Sequence, residues 1–159
     1  MISTNVPDTT FRFAEPVRSV LGHKGRLVWS IGPEASVFDA IALMAEKQVG
    51  ALMVMERAQV VGVISERDYA RKVILRGRDS QSTRVREIMS TPVVSVTESQ
   101  TIEDCMRLML ARRVRHLPVM SDGRIAGVVS IGDVMRWIVD SQQQTIQHLH
   151  NYINGAYPA

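Results

Sequence analysis

Gly62-Val63-Ile64-Ser65-Glu66-Arg67-Asp68 returns further along the chain as Gly127-Val128-Val129-Ser130-Ile131-Gly132-Asp133, a separation of 65 positions. The same separation holds back to the helix start of each copy without a gap. It pairs Ser36-Val37-Phe38-Asp39 with Thr101-Ile102-Glu103-Asp104, Leu43-Met44 with Leu108-Met109, and Val54-Met55 with Val119-Met120. It also pairs Val49 with Val114 and Arg71 with Arg136. A gapless repeat of this length is a duplication, and a fixed period decides the architecture before any single element does.

Both copies have one local grammar. A short apolar strand (Leu27 to Ile31; Val93 to Val96) leads to a helix start. Val37, Ala40, Ile41, Met44 and Ala45 then fall on one helical face, as do Ile102, Cys105, Met106, Met109 and Leu110. Ser36 with Asp39, and Thr101 with Asp104, are spaced as capping boxes. Paired apolar runs follow, Ala51 to Met55 with Val60 to Ile64, and Leu117 to Met120 with Ile125 to Val129, as expected of buried strands. Asp122-Gly123 is a hairpin turn in which both residues need positive φ. Arg57-Ala58 at the same place in the first copy predicts a turn of another type. Pro118 lacks a ladder donor, which puts its strand at an edge or puts Pro118 at the strand's start. A second helix begins at Glu66 and at Ile131, so the unit is β-α-β-β-α.

A preamble also repeats. Val17-Arg18-Ser19-Val20-Leu21 resembles Val85-Arg86-Glu87-Ile88-Met89 at a separation of 68, so the first copy carries three extra residues around Gly22 to Arg26. The polar stretch Arg76 to Thr83 reads as the link between copies. The expected organisation is a disordered stretch 1–14, a first unit 15–79, a second unit 80–140, and a helical extension and tail 141–159. Ile138, Ile146, Leu149 and Ile153 would form an apolar stripe on that extension. The fold class is α/β in the mixed α+β sense, with two units packed as a pseudo-two-fold pair because neither alone buries enough apolar surface.

With 45% apolar and 22% charged residues, the composition is that of a folded domain. No apolar run approaches the ~20 residues that span a bilayer, and no apolar leader segment precedes Phe13. A single cysteine, Cys105, excludes an internal disulfide framework and fits a reducing cytoplasm. Its repeat partner is Ala40 on the apolar helical face, which makes Cys105 a core residue rather than a nucleophile. His148 and His150, two apart on a helix, do not share a face and predict no metal clip. The many methionines sit at core positions of both copies.

The repeated seven-residue motif carries the candidate chemistry. A strand ends, Ser caps a helix, and Asp lies three residues on. An ionised Asp can accept both hydroxyls of a ribose, while a helix start with nearby Arg67, Arg71 and Lys72 attracts phosphate. Ser-x-x-Asp is equally a plain capping box, so spacing alone leaves both readings open. The copies differ here: Glu66-Arg67 becomes Ile131-Gly132 and Lys72 becomes Trp137. The second copy instead has Arg112, Arg113, Arg115 and His116 before its second strand.

A β-α-β-β-α unit ending in Gly-Val-h-Ser-x-x-Asp (h apolar), present twice, resembles the cystathionine-β-synthase-type (CBS) domain and its tandem pair, the Bateman module, over about residues 15–140. The resemblance implies clefts between the copies for adenosine-containing ligands such as AMP, ADP, ATP, NAD or S-adenosylmethionine. It implies ligand contacts at Ser65, Asp68, Ser130 and Asp133, and phosphate contacts at Arg115 and His116. Together with the basic cluster Arg67, Arg71 and Lys72, these are the candidate site residues, in two non-equivalent sites. The expected function is a stand-alone, non-enzymatic nucleotide sensor, a homodimer acting on a separate protein target, with no metal and no membrane contact. The alternatives are a ligand-free dimerisation scaffold, a nucleotide-processing enzyme, for which no clustered catalytic set is found, and a nucleic-acid binder, which would need stacking aromatics beside the Arg112–His116 patch.

Overall fold

A computed structural model describes residues 14–154; the N-terminal stretch expected to be disordered lies almost wholly outside them, as does the end of the tail. The apolar runs of each copy form an antiparallel pair: β2 (Ala51–Glu56) with β3 (Gln59–Ser65), and β5 (His116–Ser121) with β6 (Arg124–Ser130). Their registers are repeat-equivalent, Leu52 facing Ile64 and Leu117 facing Val129, down to the irregularity after Val54 and after Val119. A short parallel strand completes each sheet, β1 (Ser30–Ile31) on β2 and β4 (Val96–Thr97) on β5. The orders are β1-β2-β3 and β4-β5-β6.

Three local expectations need correction. Pro118 lies neither on an edge strand nor at a strand's start, but inside the central strand β5. Its counterpart Met53 shows why this is tolerated: the Met53 N–H donates to Trp29 O, towards the short parallel strand. Pro118 therefore forfeits one bond on that side only. Ser30 pairs with Met53, whereas β4 starts pairing one position later, at Val96 with Val119. The parallel strands are also shorter than the apolar runs suggest, and Leu27 is exposed. Finally, Arg57 and Ala58 have φ of 51° and 60°, alongside 50° and 76° for Asp122 and Gly123. Both hairpins thus put two left-handed residues at the turn. The right-handed strand twist demands this geometry even where neither residue is glycine, at a cost of about 1–2 kcal/mol per residue.

Helices α2 (Val37–Lys47) and α5 (Ile102–Arg112) start as the sequence predicts. Ser36 and Thr101 accept from the N–H groups of Asp39 and Asp104, and Asp104 closes its box by accepting from Thr101 N–H. Helix α3 (Glu66–Lys72) follows β3 and leads into a 3-10 turn at Ile74–Arg76. Helix α6 (Ile131–Ile153) follows β6 and runs on far beyond its repeat partner. The preambles form α1 (Val17–Lys24) and α4 (Val85–Ile88).

The preambles trade places. Val17, Val20 and Leu21 of α1 are buried with Ile102, Met109, Leu117, Val119 and Val129 of the second copy. Val85 and Ile88 of α4 are buried with Val37, Met44, Leu52 and Ile64 of the first. The backbone is stitched reciprocally: Val17 N–H donates to Gln100 O and Ile102 N–H to Glu15 O. Likewise Val37 N–H donates to Thr83 O and Val85 N–H to Ala35 O. The motif glycines permit the crossing. A Cβ at Gly127 would lie 2.8 Å from Leu21 Cδ2, and one at Gly62 would lie 2.6 Å from Met89 Sδ. Their close approach is to a crossing preamble.

Leu21, outside the repeat proper yet fully buried in the second core, should cost about 2–5 kcal/mol when changed to Ala. Urea unfolding checks this; a loss near 0.5 kcal/mol would make α1 a surface appendage. Burial and the neighbouring Asp104 charge push the Cys105 thiol up to about 11. A thiol-directed reagent at pH 8 should therefore label Cys105 only as the protein unfolds.

Candidate functional site

Where β3 hands over to α3, Ser65 and Asp68 close a complete capping box. Ser65 Oγ accepts from Asp68 N–H at 3.2 Å, and Ser65 N–H donates to Asp68 Oδ2 at 3.0 Å. The other oxygen of this buried carboxylate faces the crossing segment. Oδ1 accepts from Ser90 Oγ at 3.2 Å and pairs with Lys72 Nζ at 3.0 Å. Ser90 is held there by mutual backbone bonds with Val63, and Lys72 Nζ also donates to Ile88 O at 2.8 Å. The capping reading and the site reading therefore describe the same carboxylate, whose outward oxygen is held by a hydroxyl and an ammonium.

Asp68 lies at the wall of a cleft of about 380 Å³ between the copies. Ser65, Arg67, Arg71 and Lys72 line it from the first copy; Arg113, Arg115 and His116 line it from the second. Pro92, Val93, Val94 and Val114 supply an apolar wall. Seven of the expected residues (Ser65, Arg67, Asp68, Arg71, Lys72, Arg115 and His116) thus come together. Among the described residues no carboxylate pairs with Arg67, Arg71, Arg113 or Arg115. Unneutralised guanidiniums around a concave site attract phosphate, which they can bind bidentately. His116 packs against Gly50, its ring atoms 3.8 Å from where a Cβ would stand. Burial lowers its pKa below the ordinary histidine value; the Asp133 carboxylate opposes this, and the Lys24 and Arg115 charges reinforce it.

The second motif is built differently. Ser130 and Asp133 reproduce the cap, with Ser130 N–H to Asp133 Oδ2 at 2.8 Å and Asp133 N–H to Ser130 Oγ at 3.1 Å. They do not line the cleft of Asp68. Both carboxylate oxygens are taken by cations, Oδ2 by Lys24 Nζ at 2.6 Å and Oδ1 by Arg136 at 3.0 Å. Burial would raise the Asp133 pKa, but bonds from Lys24 and Ser130 and the Lys24 charge hold it below the usual carboxylate range. Trp137, in place of Lys72, packs edge-on against His23. Trp29 lies under the Lys47 ammonium, 4.4 Å from its ring centre, away from the cleft.

Reading the sequence missed Ser90 and the Pro92–Val94 wall, which only the crossing of the preamble brings to the site. It also missed Lys24, although this residue sits in the three-residue excess of the first preamble. Arg112, one of the basic run, does not line the cleft.

Residues 26–74 and 85–140 match the sequence family described as CBS domain. The mitochondrial CBS domain-containing protein CBSX3 of Arabidopsis thaliana is 42% identical over 127 residues, covering 77% of this chain but 62% of its own length. A solved CBS-domain structure from Burkholderia ambifaria MC40-6, described in terms of signal transduction, is 44% identical with a TM-score of 0.78. It covers 80% of this chain and 96% of its own. A CBS domain pair solved in complex with 5′-methylthioadenosine and S-adenosyl-L-methionine shares the fold at 19% identity and a TM-score of 0.72. That match covers 80% of this chain and 98% of that one. No helix among the described residues is long and apolar enough to cross a membrane.

His116 gives the site a pH signature. Its folded pKa lies below the unfolded value, so its contribution to stability is full above about pH 6.5 and is lost as pH falls towards the folded pKa. Urea midpoints between pH 5 and 8 should fall more steeply with acidification for the wild type than for His116→Gln. Equal slopes would show that His116 is not held neutral by burial.

Proposed function

The chain belongs to the CBS-domain family, and on that premise we propose that it is a regulatory module whose Asp68 cleft binds an adenosine nucleotide such as AMP, ADP, ATP or NAD. The observation that carries this reading is the convergence on the Asp68 cleft of four guanidiniums, from both copies, that pair with no carboxylate among the described residues. An apolar wall suits a purine, the carboxylate suits a ribose diol, and the arginines suit phosphate. For ribose hydroxyls to reach Asp68 Oδ1, Ser90 Oγ or Lys72 Nζ must release it. Because Lys72 is also bonded to Ile88 O, either exchange of charge-assisted bonds (about 1.5–3 kcal/mol each) couples ligand to the crossing segment.

The structural neighbour bound to 5′-methylthioadenosine and S-adenosyl-L-methionine supports the adenosine class. Within that class the cleft of this chain favours phosphate: Arg67, Arg71, Lys72, Arg113 and Arg115 stand against only Glu66 and Asp68. A cationic sulfonium gains nothing from that surplus. The ligand would bridge Arg67 and Arg71 of one copy with Arg113 and Arg115 of the other, and so favour one arrangement of the two copies over another. The output then passes to a separate protein target, and no catalysis is assigned to the cleft. A homodimer fits the same reading. Met135, Val139, Ile146, Leu149 and Ile153 are exposed along α6 at alternating spacings of about three and four residues, broken only by Gln142.

Thermal shift tests the ligand. At about 100 times its Kd a ligand adds about 2.7 kcal/mol, several degrees for a chain of this size. AMP, ADP, ATP or NAD should raise the wild-type Tm, Asp133→Ala should keep that increment, and Asp68→Ala should lose it. Arg115→Ala should unfold within about 0.5 kcal/mol of the wild type and bind phosphate-bearing ligands tenfold or more weakly. No increment with any of these ligands overturns the reading.

A further inference from the structure

We infer that Lys24 is a built-in stopper of the second cleft, so that this module takes one ligand per chain rather than two. The inference rests on the preceding reading of the first cleft and specifies its stoichiometry.

The repeat makes the comparison position by position. In the first copy, Val63 O accepts from Ser90 N–H, and Asp68 Oδ1 accepts from Ser90 Oγ. In the second copy, the equivalent atoms are Val128 O and the Asp133 carboxylate. One ammonium satisfies both: Lys24 Nζ donates to Val128 O at 2.8 Å and to Asp133 Oδ2 at 2.6 Å. Lys24 falls in the three-residue excess that follows the repeated part of the first preamble, whereas the shorter preamble of the second copy runs directly on to Pro92, which lines the open cleft. The difference begins in the backbone. Helix α4 stops at Ile88, so its chain turns away along β3, whereas α1 continues to Lys24 and carries a cation into the motif.

Neighbouring residues hold the stopper in place. Arg26, just beyond the end of α1, pairs with Glu98 of the second copy. His23 packs against Trp137, which replaces the cleft lysine of the first copy. Arg136 takes the remaining oxygen of Asp133. A ribose reaching the carboxylate of this copy would therefore compete with two cations, Lys24 on Oδ2 and Arg136 on Oδ1, where one reaching Asp68 meets the single ammonium of Lys72.

Equilibrium dialysis with AMP, counting molecules bound per chain, decides it. The wild type and Lys24→Arg should bind equal numbers, and Lys24→Met should bind one more. The added event should disappear in the Lys24→Met, Asp133→Ala double variant. An equal count in wild type and Lys24→Met overturns the stopper, as does a wild type that already binds two. The wild-type count separately judges the first cleft: none bound there, with one gained in Lys24→Met, keeps the stopper and removes the reading of the Asp68 cleft. Without ligand, NMR titration of the Asp133 carboxyl should move upward in Lys24→Met; an unmoved titration would show that Lys24 does not occupy it.

Discussion

Two side chains, Leu21 and Met89, each lie over a glycine of the opposite copy, and the remainder of the molecule depends on those contacts. A three-stranded sheet with two helices leaves part of its apolar surface uncovered, and the missing cover arrives from the other copy's leading helix. Each buried aliphatic side chain contributes about 1.5–3 kcal/mol. Val17, Val20 and Leu21 on one side, with Val85 and Ile88 on the other, therefore tie the two cores into one cooperative body. Gly62 and Gly127 are part of the motif for this reason.

The cleft is a by-product of the crossing. Because α4 reaches across to the first core, the chain after it must pass the start of α3, which places Ser90 on Asp68 and Pro92 to Val94 opposite the arginines. The cleft wall thus comes from the stretch on which the chain passes from the first core to the second, Ser90 being bonded to Val63 and Val94 packing against the second core. A ligand there would touch the elements on which both cores depend.

Much of this was legible in the residues alone. The 65-residue period located both strand pairs, both helix starts and both capping motifs, because alternation, helical periodicity and Ser/Thr caps are local properties. Seven cleft residues were named, five from motif and charge and two, Arg115 and His116, through the family resemblance. What escaped was non-local. The exchange of preambles depends on which core each helix completes, and no local pattern records that choice. Arg57-Ala58 shows strand twist overriding residue preference, since the hairpin imposes left-handed geometry on two residues that disfavour it. Pro118 shows the converse: a broken rule is harmless where the lost bond would have faced a strand of only two residues. Lys24 was visible only as surplus length, and its partner lies 109 positions away.

The exchanged helices also bear on how such a molecule can arise. A single β-α-β-β-α unit with its own leading helix could complete its core only by lending that helix to an identical neighbour and borrowing the neighbour's in return. The product would be a symmetric pair of chains whose two pockets are obliged to be the same, since every substitution would enter both. Fusion of the units into one polypeptide lifts that obligation. Trp137 for Lys72, Gly132 for Arg67, and a lysine at the end of only one leading helix are divergences open to a fused ancestor and closed to a symmetric one.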